Sequence, residues 1–140
     1  LVLDRDAQLI AQTKAAIVKE VHHGEGKRVE LAKVVQAATN KEISSVSKLF
    51  SEVEGFTLEH YYLLQRLERV KELILYDELN LTEISYLMNY SSVAHLSTQF
   101  KKVTGLSPSH FKQLKDKRRS PIEEIGNISK QNVNPSIDSN

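Results

Sequence analysis

Two sets of side chains, fifty residues apart, have types and spacing that suit chemistry. At 100° per residue, Ser44, Lys48 and Ser51 point to one side of a helix with Ser47 beside them. Ala94, Thr98 and Lys101 do the same with Ser97 beside them, opposite apolar Leu96. Small hydroxyls, a methyl group and cations, with no Asp or Glu among them, form the kind of surface that phosphate oxygens and base edges require. The chemistry this implies is hydrogen bonding and charge pairing, without bond breaking. Ser92 and His95 lie at the start and on the flank of the second set. Lys101 and Lys102 lie toward its end, where phosphates are the expected partners. A solvated helical surface has a similar composition, so the elements that carry these residues must decide between the two.

Other chemistries find little support. There is no Cys, which closes disulfide, thiol and Cys-based zinc chemistry. Of the five His, His60 and His110 stand at equivalent positions near helix starts, which favours packing or capping. His22-His23 reads as an exposed helix end, and His95 is the flank residue already named. No metal site or cofactor is expected. No Ser/His/Asp constellation, paired-carboxylate spacing or Gly-rich phosphate loop appears, so no catalytic residue is assigned and an enzyme is not expected. Tyr61 and Tyr62 read as core and subdomain contacts, and the sparse aromatics do not make a single-strand stacking platform.

Composition sets the outer bounds. At 140 residues, 40% hydrophobic and 26% charged, the chain suits one or two small globular domains. No apolar run approaches the roughly 20 residues of a membrane span, and Leu1-Val2-Leu3-Asp4 lacks the features of a signal peptide. The expectation is a cytoplasmic protein with no membrane partner. Because the chain starts without Met, it is also expected to be a monomeric fragment whose upstream part is missing. Net charge is +1 overall but uneven: residues 61–119 carry ten Lys/Arg against six Asp/Glu, and His95 to Arg119 carries seven Lys/Arg against Asp116 alone. That half suits a polyanionic partner.

The elements that must hold the two sets are organised around Leu58 to Tyr76, a run with no Gly or Pro. Leu63, Leu67, Val70 and Ile74 form its apolar stripe, with Gln65, Glu68, Arg69 and Glu72 opposite. Thr57 is its expected N-cap and Asp77 to Asn80 its end. Before it, the spacing predicts helices over Asp6–His22 (capped by Asp4 or Asp6), Leu31–Thr39 and Ile43–Glu54, the last with Ile43, Val46, Phe50 and Val53 inward and Gly55 as its stop. After it, Asn80 and Glu83 have capping-box spacing for a helix that buries Leu81, Ile84, Leu87 and Met88. Ser91 or Ser92 caps the next, which buries Val93, Leu96, Phe100 and Val103 and stops at Gly105. Ser107-Pro108 starts a last helix that buries Phe111 and Leu114 and ends at Lys115 to Arg119. Residues 120–140, rich in Ser and Asn, read as a flexible tail.

A shift of fifty residues lays Val46 on Leu96, Phe50 on Phe100, Gly55 on Gly105, Thr57 on Ser107 and His60 on His110. Six positions of 46–64 are identical in both copies. Each copy is a short helix, a tight turn containing Asn40 or Asn89, a second helix closed by Gly, and a capped third helix, which is the helix-turn-helix arrangement. The expected fold is therefore all-α with about seven helices. A first helix-turn-helix subdomain with its N-terminal helix spans 1–56, a linker helix 57–79, a second subdomain 80–119 and the tail 120–140.

The run Ile84-Ser85 to Asn89-Tyr90, then Ser91, Ser92, Leu96-Ser97, Phe100-Lys101-Lys102, Gly105 and Ser107-Pro108, resembles the signature of the AraC/XylS family of bacterial transcription regulators. Arg66-Leu67, Val70 and Leu73-Ile74 are similar to that family's linker helix, and Leu49-Phe50 to Gly55 to its first motif. The resemblance covers about Val29 to Arg119. It implies two motifs that each insert a second helix into a DNA major groove, with base-reading positions on Ser44, Ser47 and Lys48 and on Val93, Ala94, Ser97 and Thr98. It also makes RNA polymerase a candidate partner besides double-stranded DNA. The chain departs from the pattern at Asn40 and Asn89, where the family usually has Gly, at Ala94 and Thr98, where longer donors are common, and at Glu52, where a base is frequent. The competing function class is an all-helical protein-interaction module that keeps the fold without the DNA contact.

Overall fold

A computed structural model of the chain describes residues 3–24 and 30–128, the side chains of 119–128 excepted. Among these residues it is all-helical: α1 (Asp4–His23), α2 (Leu31–Thr39), α3 (Ile43–Glu54), α4 (Leu58–Tyr76), α5 (Leu81–Leu87), α6 (Val93–Thr104) and α7 (Pro108–Ile128). The chain divides inside α6 into two compact units, Leu1–Leu96 and Ser97–Asn140.

In the first unit α1 packs on α2, α3 and α4, α3 packs on α2 and α4, and α5 packs on α4. Ile17, Val35, Val46, Phe50, Leu58, Leu67 and Val70 are almost wholly removed from water, and so is Thr13, whose hydroxyl donates back to the Leu9 carbonyl at 2.9 Å. Leu67, Val70 and Ile74 of the expected α4 stripe are buried with Leu58 and Leu73, whereas Leu63 is half-buried. In α5 the buried positions are Ile84 and Ser85, with Met88 buried just beyond its end, while Leu81 and Leu87 are half-buried.

Helix ends follow local chemistry. Asn40, Asp77 and Asn89 adopt φ of 61°, 57° and 60°, the left-handed region that Asn and Asp tolerate best among residues with a side chain. Gly55 and Gly105 close α3 and α6 at φ of 82° and 84°. Thr57 Oγ1 accepts from the His60 N–H at 3.0 Å, and Asn80 and Glu83 form a reciprocal capping box. At α1 the expected cap is wrong: Leu3 is the N-cap residue and no side chain caps the helix. Asp4 and Asp6 instead lie inside the first turn, where a carboxylate still meets the positive end of the helix dipole.

In the second unit Phe100 is wholly buried and meets Phe111 edge-on at 5.7 Å. Thr104 Oγ1 donates to the Phe100 carbonyl at 2.7 Å and accepts from the Leu106 N–H at 3.2 Å, which folds the chain into the cap that Ser107 supplies to His110. Two expectations fail here. Leu114 is 40% exposed, since the ring of Phe111 one turn earlier already fills the contact with Phe100. The helix also runs on to Ile128 instead of stopping at Arg119. Pro121 forgoes one backbone hydrogen bond, but its fixed φ lies within the helical range, and Lys, Arg and Glu around it are good helix formers. The expected tail thus begins with helix, and its remaining residues, 129–140, lie outside the described ones.

Candidate nucleic-acid interface

In each copy a short helix, a turn built on a left-handed Asn and a second helix follow one another, and burial along the two second helices is nearly the same. Val46 and Phe50 in α3, and Leu96 and Phe100 in α6, are fully buried. On the other side of α3, Ser44 and Lys48 are exposed, and Ser47 and Ser51 are half-buried. In α6, Ala94, His95, Thr98, Lys101 and Lys102 are exposed, and Val93 and Ser97 are half-buried. Glu52 and Ser45 add an acid and a hydroxyl to the exposed side of α3. Among the described residues Lys48, Lys101 and Lys102 hold no acidic partner, so their charge is available to an anion.

Ser92, exposed and offered as a contact residue, is also the cap of α6: its Oγ accepts from the His95 N–H at 3.0 Å. Its hydroxyl proton remains available as a donor. His95 is less free than a flank residue need be. Ser91 holds its Nδ1 through both Oγ at 3.1 Å and the backbone N–H at 3.5 Å, and its ring meets that of buried Tyr90 edge-on at 5.1 Å. On Tyr90 in turn lies the guanidinium of Arg66, 4.4 Å from the ring centre, with Tyr62 on the same guanidinium at 5.5 Å. Arg66 Nη2 donates to the Met88 carbonyl at 2.6 Å, satisfying a free carbonyl at the end of α5. Burial pushes the Tyr90 and Tyr62 hydroxyls above the ordinary tyrosine range, with Arg66 working in the opposite direction on each. The sequence pattern places Arg66 only in the linker helix and does not show its link to the turn. The signal available was Tyr62 four residues before it, on the same helix face.

The remaining histidines separate. His60 and His110 give their backbone N–H groups to the caps of α4 and α7. His22 is not the exposed helix end expected of it: half-buried, it meets the Val18 carbonyl through Nδ1 at 2.9 Å and Glu72 through Nε2 at 3.1 Å, and so ties α1 to α4. His23 does stay exposed. Beside that tie, Lys14 pairs with Glu54 and lies 5.8 Å from the ring centre of Tyr61. Among the described residues no helix is long and apolar enough to cross a membrane.

A family model described as a helix-turn-helix domain matches residues 36–114, more than half of the chain, from the end of α2 into α7. The chain belongs to the AraC/XylS family. Solved AraC-type structures share its fold. It is similar to the C-terminal domain of AraT, a response regulator from Geobacillus stearothermophilus, with 24% identity and a TM-score of 0.62 over 76% of this chain and 84% of that one. It is similar to an AraC-type transcriptional regulator from Chromobacterium violaceum, with 17% identity and a TM-score of 0.61 over 72% of this chain and 89% of that one. A DNA-binding transcriptional dual regulator from Escherichia coli K-12 matches at 16% identity and a TM-score of 0.61, over 73% and 90%. Among curated proteins none matches. Within this AraC/XylS chain the matched region takes in every residue offered above as a DNA contact, while α1 lies outside it.

Proposed function

We propose that this AraC/XylS protein reads an asymmetric site on double-stranded DNA with two recognition helices, α3 and α6, in successive major grooves. The coarser part, a DNA-binding regulator of transcription, follows from family membership. The observation that carries the finer part is the repeat itself: two second helices bury equivalent positions and turn outward Ser44, Ser47, Lys48 and Ser51 in α3, with exposed Glu52 beside them, and Ala94, Ser97, Thr98 and Lys101 in α6. The helix between them in sequence, α4, has 19 residues and so spans about 28 Å, against roughly 34 Å between successive major-groove faces on one side of the duplex. A spacer of that size suits two adjacent grooves, with DNA bending making up the shortfall.

The test inserts five base pairs between the half-sites, which turns one to the far side of the duplex while leaving both sequences intact. Specific affinity should fall to that of a single half-site; unchanged affinity would leave only one motif on DNA. A negative slope of log affinity against log salt, set by released counterions, separates DNA binding from a protein-interaction role for the same fold.

A further inference from the structure

The network that runs from α4 into the second motif is more specific than packing requires. Arg66 is half-buried and could have pointed to solvent; instead it bonds the Met88 carbonyl and lies on Tyr90, the residue that enters the turn before α6. Tyr90 fixes the plane of the His95 ring through its edge contact, and its own backbone N–H is tied to the Ser85 carbonyl at 2.8 Å. At the His95 ring the donor count decides the tautomer. A backbone N–H can only donate, so the Ser91 N–H requires a lone pair on Nδ1, and the neutral ring then carries its proton on Nε2. That nitrogen has no partner among the described residues, and His95 is exposed in the first turn of α6. The first turn of a recognition helix is where base edges are met.

We propose that Arg66 is a positioning residue for DNA reading: acting through Tyr90, it holds His95 in one tautomer and orientation, so that Nε2–H is an outward donor for an acceptor on a base edge. The inference rests on the DNA-binding function proposed above. It names a specificity determinant on the linker helix, away from the contact face. The bases it suits are those with an acceptor in the major groove, N7 or O6 of guanine or N7 of adenine, and thymine through O4.

The experiment uses the whole chain and two readouts. A ring nitrogen–proton correlation spectrum shows which nitrogen of His95 carries the proton. Binding is measured on duplexes mutated one base pair at a time in the half-site read by α6 and, separately, in that read by α3. Wild-type protein should show a single Nε2–H form. Arg66→Met should mix the two forms and cut discrimination at one position of the α6 half-site by about fivefold to tenfold, a single hydrogen bond's worth, leaving the α3 half-site unchanged. Arg66→Gln keeps a donor for the Met88 carbonyl but cannot lie over Tyr90; it should behave like Arg66→Met and serves the same test if the methionine variant does not fold. Ser91→Ala removes only the Oγ contact and keeps the backbone N–H that demands a lone pair on Nδ1, so it should leave the Nε2–H form in place. The proposal is overturned if His95 keeps one tautomer and its discrimination in both Arg66 variants, or if they weaken both half-sites equally. Uniform weakening across all sequences of the α6 half-site also overturns it, since Nε2 would then meet a phosphate. If the wild-type chain bound no duplex at all, the functional reading would fall, while the tautomer spectra would still decide what Arg66 does.

Discussion

Among the described residues Lys48 and Lys101 are both exposed cations without acidic partners, and from their places on their helices we expect different roles. Lys48 lies in the middle of the outward face of α3 between Ser44 and Ser51, whereas Lys101 and Lys102 lie in the last turn of α6, past the residues proposed to read bases. Lys101→Ala should therefore weaken binding to all sequences alike and reduce the salt slope by about 0.9, one phosphate's worth of counterions. Lys48→Ala and Ser47→Ala should change base preference. Titrations on matched and single-mismatch duplexes at several salt concentrations check this, and a Lys101→Ala protein that lost preference at one base pair would reverse the two roles. A second residue-scale expectation concerns pH. Burial raises the hydroxyls of Tyr61, Tyr62 and Tyr90 above the ordinary value of 10.0. Near and above that pH the unfolded chain gives up these protons while the folded chain keeps them. The unfolded state then binds fewer protons, and stability falls as pH rises. The contribution is complete below the unfolded value and is lost between it and the folded values. Melting temperature should fall across alkaline pH in step with tyrosinate absorbance, and Tyr90→Phe should flatten that fall.

At the scale of helices, α4 links most of the first unit, since α1, α3 and α5 all pack on it. Leu67, in its middle, is 2% exposed, and truncation there removes buried methyl groups and leaves a cavity. Leu67→Ala should cost about 2 to 4 kcal/mol in chemical denaturation, a large fraction of what a small domain has; a loss below about 0.5 kcal/mol would be that of a surface position and would put the wrong face inward. Helix α4 also shows how far sequence reaches. Its bounds, and those of α2 and α3, were legible because Thr57, Asn40, Gly55 and Asp77 are residues whose side chains or positive φ stop helices. The outward faces of α3 and α6 were legible because a 3.6-residue period fixes them once Phe50 and Phe100 are inside. What periodicity cannot show is which apolar position finds a neighbour. Leu114 continues the α7 stripe yet is left partly in water, and Thr13, a polar residue, is buried because its hydroxyl bonds its own helix. Nor can it show long-range polar ties such as Arg66 to Met88 or His22 to Glu72, each made between residues far apart in sequence.

Across the whole molecule, the two copies have kept their interiors and changed their outward faces. Phe50 and Phe100, Val53 and Val103, Gly55 and Gly105 are identical, and Val46 and Leu96 are buried alike, because each copy must fill the same small core and end its helix the same way. On the outward side Ser47 and Ser97 alone agree; Ser44 faces Ala94, Lys48 faces Thr98 and Ser51 faces Lys101 in the fifty-residue shift. If Lys48 and Thr98 read bases as proposed, they favour different ones: Lys donates to guanine O6 or N7, whereas the Thr methyl suits the thymine methyl. The two half-sites should therefore differ, and a duplex carrying the α3 half-site twice should bind less tightly than the asymmetric site, by about 1 to 3 kcal/mol for each base pair that no longer fits α6. The converse exchange is the sharper check. Ala94→Ser, His95→Ser, Thr98→Lys, Lys101→Ser and Lys102→Glu together give α6 the exposed outward residues of α3 while leaving Leu96 and Phe100 in place, so the fold should hold. Selection of bound sequences from a random pool should then return a directly repeated half-site. If it returned the original asymmetric site, the α6 face would carry no sequence preference, and the difference between the copies would lie elsewhere in the chain.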